Sequence, residues 1–281
     1  MPHTIRDTCS KSSARCAVNL DSLPWAEADL SAVRAVAIDE TSSRRGQNYL
    51  TIAADTDERK VVFVTEGKDT RTVAYFAADL AAHKGTAEQV RLVSIDMSPA
   101  FIKGVADHLP NARITFDKFH VVAHASTAVD KMRRLEQRTD PSLKGLRWAL
   151  LKDRGRLSDE SRADLDTLIA QAATKRTARA WLYREHLRDI VSAMLKQWCT
   201  NVLRSRVEPM KEVARMIRKH FDGIVAWTQT RQTNGYIEAL NGLFQAAKRK
   251  AGGYTRFTTM RTVLFLIAGK LDFTPINPHA A

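Results

Sequence analysis

Three acidic residues far apart in the chain, Asp39, Asp96 and Glu238, have the chemistry and setting expected of ligands for a hard divalent cation. Asp39 closes the apolar run 33–38, Asp96 closes the run 90–95, and Glu238 lies inside a C-terminal stretch of helical periodicity. Carboxylate oxygens suit Mg²⁺, which prefers octahedral oxygen ligands and keeps some of its waters. Two such ions, with Asp39 as the bridging ligand, activate an attacking oxygen and stabilise a leaving one in an in-line displacement at phosphorus. Mn²⁺ is expected to substitute. A carboxylate at a strand end lies at a sheet rim, open to a hydrated cation while the strand stays buried. Glu40 must point to the opposite face by the period of two, so only one of the pair serves as a ligand. Taken alone, Asp39 is more often a solvated acid at the start of a turn; the case rests on the combination.

The segment around Glu238 adds a pattern. Asn234, Glu238, Asn241 and Gln245 recur at helical spacing as a polar stripe beside an apolar one of Ile237, Leu240, Phe244 and Ala247. Amides flanking a carboxylate suit metal ligation and phosphate contact, and an ordinary solvated helix face explains the same stripe equally well. Lys248, Arg249 and Lys250 follow, then Gly252-Gly253-Tyr254, Arg256, Phe257 and Arg261. Such residues grip phosphates, and a basic helix end stopped by glycine is also favoured by the helix dipole. Asp117 and His120 form a further pair: a strand-end acid with a histidine one helical turn on, placed to contact phosphate or base, or to support the acids from behind. His124 shares that spacing, but no zinc signature surrounds it.

These residues need a scaffold that gathers them. Apolar runs at 33–39, 49–54 and 60–65 with polar turns between them predict three strands joined as antiparallel hairpins. An amphipathic stretch with Val73, Phe76, Ala77 and Leu80 predicts a helix, followed by the strand ending at Asp96. Ser98-Pro99 opens a second helix with Ile102 and Val105 inward, and 113–116 gives a fifth strand ending at Asp117. Three antiparallel strands followed by strands connected through helices is the order of the ribonuclease H-like fold. From about 118 to 230 no strand is readable, and Pro209 marks one helix start ahead of Val213 and Ile217. The expected class is therefore α/β, a ribonuclease H-like mixed five-stranded sheet with flanking helices and a large all-helical insertion before the last catalytic helix. The expected divisions are a loose lead-in over 1–32, the first part of the core over 33–138, the insertion over 139–230, C-terminal helices completing the core over 231–273, and a tail over 274–281.

Bulk properties agree with a polyanionic partner. The chain has 281 residues, 44 Lys and Arg against 31 Asp and Glu, and a formal net charge of +13, a surplus that attracts nucleic acid through counterion release. A soluble basic protein of another kind carries the same surplus. Cys9, Cys16 and Cys199 show no paired spacing, so neither a disulfide framework nor a zinc module is expected. The N-terminal residues lack the apolar core of a signal peptide, and the apolar run 263–268 is too short to span a bilayer. A reduced, intracellular protein with no membrane partner is the expectation.

Four segments in order carry a resemblance: Ala37-Ile38-Asp39-Glu40-Thr41-Ser42 with the stretch 46–51, Ser94-Ile95-Asp96-Met97-Ser98-Pro99, Phe116-Asp117-Lys118-Phe119-His120, and Asn234-Gly235-Tyr236-Ile237-Glu238-Ala239-Leu240-Asn241. Over roughly residues 33 to 271 the chain resembles the ISL3-family insertion-sequence transposases of the DDE group. The resemblance implies that Asp39, Asp96 and Glu238 are the metal-binding triad, with two Mg²⁺ ions, and that Asp117 and His120 are a D-x-x-H element. It implies DNA as partner, at the element's ends and at the target, with self-association in the DNA complex and a cytoplasmic, nucleoid-associated location in a bacterial cell. Family members usually carry an N-terminal zinc-binding and helix-turn-helix region, whereas the first acid here is already residue 39; the expectation is a catalytic domain without its end-recognition module. Two other readings stand beside it: a truncated remnant that binds DNA or a full-length transposase without transposing, and a ribonuclease H-like nuclease or junction resolvase.

Overall fold

The computed structural model describes residues 27–44, 46, 48–190, 192–230 and 234–271. Most of the expected lead-in and all of the expected tail lie outside these residues, as do Cys9 and Cys16.

Three strands come first, β1 (Ala35–Ser42), β2 (Tyr49–Asp55) and β3 (Lys60–Glu66). Helix α1 (Thr70–Ala82), strand β4 (Leu92–Ile95), helix α2 (Pro99–His108) and strand β5 (Arg113–Phe116) follow. The strands form one sheet in the order β3-β2-β1-β4-β5. β1 pairs antiparallel with β2 and β2 with β3, whereas β1–β4 and β4–β5 are parallel. This is the mixed ribonuclease H-like sheet, and helices supply the connections that parallel neighbours require.

One expected boundary changes. β1 does not end at Asp39: it runs to Ser42, with Asp39 opposite Ile52 and Ser42 opposite Tyr49. The apolar run stops at Ile38, but the antiparallel partner keeps pairing beyond it. On the other side the ladder with β4 covers only Ala35–Ala37 against Leu92–Ser94. β1 thus outruns β4, and Asp39 stands on the exposed step two residues past the last parallel pair. That step serves the purpose a strand end was expected to serve.

The period of two divides the core. Val36, Ile38, Val93 and Ile95 face α1 and α2, where Val73, Phe76, Leu80, Phe101 and Val105 are buried. Ala37, Leu50, Ile52, Ala54, Val61 and Val64 face the two C-terminal helices, α10 (Gly235–Lys250) and α11 (Phe257–Ala268), against Ile237, Leu240, Phe244, Met260 and Leu264. The apolar stripe read around Glu238 is the face that seats α10 on the sheet.

Between β5 and α10 the described residues form helices: α3 (Lys118–Glu136), α4 (Arg147–Leu151), α5 (Asp159–Ala170), α6 (Arg176–Asp189), α7 (Ser192–Leu203), α8 (Glu208–Lys219) and α9 (Phe221–Thr230). α3 carries two buried acids, one paired within the helix and one capping its neighbour. Buried Asp130 accepts from Arg133 and Arg134, and Glu136 accepts from the backbone N–H groups of Arg176 and Thr177 at 2.9 and 2.7 Å, capping the start of α6. α9 returns to the sheet, where Gly223 lies so close that a Cβ there would stand 2.5 Å from the Phe116 ring. No described helix is long and apolar enough to cross a membrane.

Candidate active site

Asp39 projects from the α10 side of the sheet. Its Oδ1 accepts from the N–H of Glu40 at 2.9 Å and its Oδ2 from the side-chain amide of Asn241 at 2.8 Å. Further along, Gln245 donates to Thr41 Oγ1 and to the Ser42 carbonyl, and Lys248 Nζ to the Ser42 and Ser43 carbonyls. The match follows from pitch: four residues of helix advance about 6 Å and two residues of strand about 6.6 Å. A helical polar stripe therefore keeps step with alternate residues of β1, and the stripe around Glu238 faces the sheet rim.

Asp96 lies just beyond β4, its Oδ1 accepting from Ser98 N–H at 2.9 Å, which orients the carboxyl at the turn into α2. Ser98 sits at the N-cap as expected, with Pro99 following, though its hydroxyl makes no cap bond. Ala37 pairs with Ser94, so Asp39 in β1 and Asp96 just past β4 each stand two residues further on along neighbouring chain segments.

Asp117 is fully buried, with both oxygens used. Oδ1 accepts from Phe119 N–H at 2.8 Å, capping α3, and Oδ2 from the backbone N–H of Asn234 at 2.6 Å. It is placed behind the site, out of reach of a DNA phosphate. One turn into α3, His120 Nε2 is 3.6 Å from Glu238 Oε1. His124 is exposed.

Electrostatics single out Asp39. Burial first, then the negative charges of Glu40 and Asp96, lift its carboxyl to about 7, against the Glu40 hydrogen bond and the charge of His120. Glu40, on the other face, is raised by burial and then by Asp96, with Lys68 and His120 opposing. Sequence reading set Glu40 aside and did not single out Lys68; nothing in the local pattern signals that either feels the same site. Asp39 and Asp96 lie close enough for their charges to interact, and Glu238 lies beside His120, whose charge also reaches Asp39.

Among the described residues no group of three or more His, Cys, Asp or Glu side chains is placed to hold a metal ion. The donor set nevertheless suits a hard cation: hard oxygen donors, a half-buried Asp39 carboxyl destabilised by its acidic neighbours, and the Asn241 Oδ1 beside it, buried without a partner among the described residues. His120 Nε2 and both amide atoms of Asn234 are likewise buried without hydrogen-bond partners among those residues. Residues 36–264 match the model of a family of transposases, that of ISL3-type insertion sequences.

The chain belongs to the ISL3 family of DDE transposases. Asp39, Asp96 and Glu238 all fall inside the matched region. It is similar to the transposase of insertion sequence IS1001 from Bordetella parapertussis, 25% identical over 268 residues covering 90% of this chain and 63% of the relative. It is also similar to the transposase of IS1557 from Mycobacterium tuberculosis, 30% identical over 257 residues, 79% of this chain and 57% of that protein. The chain therefore spans less than two thirds of the length of these relatives.

The basic residues divide by placement. Lys248 is occupied by the β1 carbonyls, and burial, then Arg249, lowers its pKa. Arg249, Lys250 and Arg256 are exposed. The guanidinium of Arg261 lies 5.8 Å from the centre of the Phe257 ring, on α11. Gly252 and Gly253 adopt positive φ of 70° and 105°, and Gly253 N–H closes on the Lys248 carbonyl, ending α10 as a left-handed cap. Cys199 is buried, its thiol pushed up to about 11 by that burial, and is chemically quiet.

Proposed function

We propose that this chain is the catalytic core of an insertion-sequence transposase, with Asp39, Asp96 and Glu238 holding divalent metal for strand cleavage and strand transfer on DNA. The family as a whole uses divalent metal ions. The observation that carries the reading is Asp39: a half-buried carboxyl without a described basic partner in hydrogen-bond reach, sharing negative charge with Asp96 on the step where β1 outruns β4. Such a site favours a cation over a proton as the neutralising group.

Two Mg²⁺ ions, or Mn²⁺ in their place, supply there the charge that lowers the barrier to displacement at phosphorus. Asn241 holds the Asp39 carboxyl in place through a neutral donor, so it orients without competing for charge. His120 stands beside Glu238, its Nε2 3.6 Å from the carboxylate. Arg249, Lys250 and Arg256 offer exposed charge for the phosphate backbone of element ends or target, and Arg261 stands on the next helix. The same proposal takes 33–138 as the first part of the core, 139–230 as a helical insertion, and 231–273 as the C-terminal helices completing the core. Self-association on DNA belongs to the same proposal.

The test is Mg²⁺-dependent nicking and strand transfer on duplex carrying element ends. Asp39→Ala, Asp96→Ala and Glu238→Ala are each expected to cut the rate by at least about 100-fold while DNA affinity, which comes from Lys and Arg, is retained. Full cleavage by folded Glu238→Ala would end the three-ligand reading.

A further inference from the structure

We infer that Asp117 is a positioning residue that sets where Glu238 stands; the inference rests on the metal-ligand reading of Glu238 above. The geometry is a relay of two hydrogen bonds through the backbone of one residue, Asn234. Asp117 Oδ2 accepts from Asn234 N–H at 2.6 Å, and the Asn234 carbonyl accepts from Glu238 N–H at 2.8 Å, the bond that opens α10. Asp117 itself is fixed to the start of α3 by Phe119 N–H. The starts of two helices, 117 residues apart in sequence, are thereby locked to one carboxyl group. One turn along each helix His120 and Glu238 face each other at 3.6 Å, a second rung set by the first.

Asn234 needs such a tie. It stands at the N-cap of α10, yet its side chain makes no cap bond and both amide atoms lack described partners. Further along, α10 is held by Asn241 on Asp39 and by its apolar face. At its first residue the tie is the Asp117 carboxyl, completely buried and therefore dry, where a hydrogen bond to a charged acceptor is strong. Releasing it frees the helix start and Glu238 with it, while leaving Asp39 and Asp96 in place.

Two variants remove the bond from opposite sides. Asp117→Asn presents an amide that cannot accept from both Phe119 and Asn234. Asn234→Pro deletes the donor, fits the observed φ of −75°, and leaves the α3 cap intact. Amide hydrogen exchange and Mn²⁺ titration followed by electron paramagnetic resonance are both read on the full chain, and neither needs turnover. In both variants exchange over residues 235–240 is expected to rise, and Mn²⁺ affinity to weaken about 10–100-fold on loss of a supporting contact. Wild-type exchange in that segment in folded Asn234→Pro overturns the inference, as does faster exchange with unaltered Mn²⁺ affinity. If instead the wild-type chain binds no Mn²⁺ at millimolar concentration while both variants exchange faster, the metal reading fails, Asp117 is left as a tie for the helix start alone, and the inference about Glu238 fails with it.

Discussion

The side-chain amide of Asn241 donates to Asp39 Oδ2 at 2.8 Å, joining residues 202 apart in sequence. It supplies the fixed orientation that a metal-binding carboxyl requires without neutralising it, and its own Oδ1 is left facing the same region without a described partner. Losing this donor leaves a half-buried acceptor short of a hydrogen bond, so Asn241→Ala should cost about 1–3 kcal/mol of stability. Asn241→Asp should be worse, and worse at about pH 8 than at about pH 5, because it sets a second ionising carboxyl against the first. Thermal melts in chelator at both pH values check the order.

Asp39 makes the metal-free protein sensitive to base. Its folded pKa, about 7, lies above the ordinary value of 3.8, so the stability it contributes is complete below 3.8 and is lost as pH rises through about 7. Melting temperature should therefore fall between about pH 4 and about pH 7 in chelator, and Asp39→Asn should reduce that fall. In Asp39→Asn the Asn241 amide can turn so that its Oδ1 accepts. Added Mg²⁺ should restore stability to the wild type at about pH 8 and do much less for the variant. An unchanged pH profile in Asp39→Asn would remove Asp39 as the source.

Lys248 and its neighbours should separate in DNA binding. Arg249 and Lys250 are exposed, whereas Lys248 bonds the Ser42 and Ser43 carbonyls. Neutralising Arg249 and Lys250 should flatten the plot of log affinity against log salt by up to about 2 units, and Lys248→Ala should change it little while lowering the melting temperature. Titrations of one duplex at several salt concentrations distinguish the three. A full unit of slope lost in Lys248→Ala would show that the lysine leaves β1 for phosphate.

Gly223 is where the insertion meets the sheet. Its Cβ would stand 2.5 Å from the Phe116 ring, one residue before Asp117. Gly223→Ala should cost about 1–3 kcal/mol, since ring and helix must part. The loss is read by denaturant titration, and a neutral effect would mean that α9 docks more loosely than described.

Much of this was legible from local pattern. The apolar runs 49–54 and 60–65 with short polar turns indicated the hairpins, and the helix-spaced apolar set Ile237, Leu240 and Phe244 indicated the face that seats α10. The end of β1 was not legible, because Asp39 and Glu40 look like a turn until β2 is seen pairing past them. Lys248 read as a phosphate contact because its stripe position does not reveal which carbonyls lie opposite. Asp117 read equally as a contact for DNA and as a support for the acids for a similar reason: one of its two bonds depends on a segment 117 residues away, and an acid after a strand carries no mark of complete burial.

The central claim is that Asp39, Asp96 and Glu238 converge on metal. The most direct measurement is anomalous diffraction from crystals of the full chain grown or soaked in Mn²⁺. The account predicts anomalous density between Asp39 and Asp96, with the Glu238 carboxyl turned from His120 into coordination at about 2.1 Å. Mn²⁺ bound only at other residues, or Glu238 still on His120 with metal on the two aspartates, would contradict it.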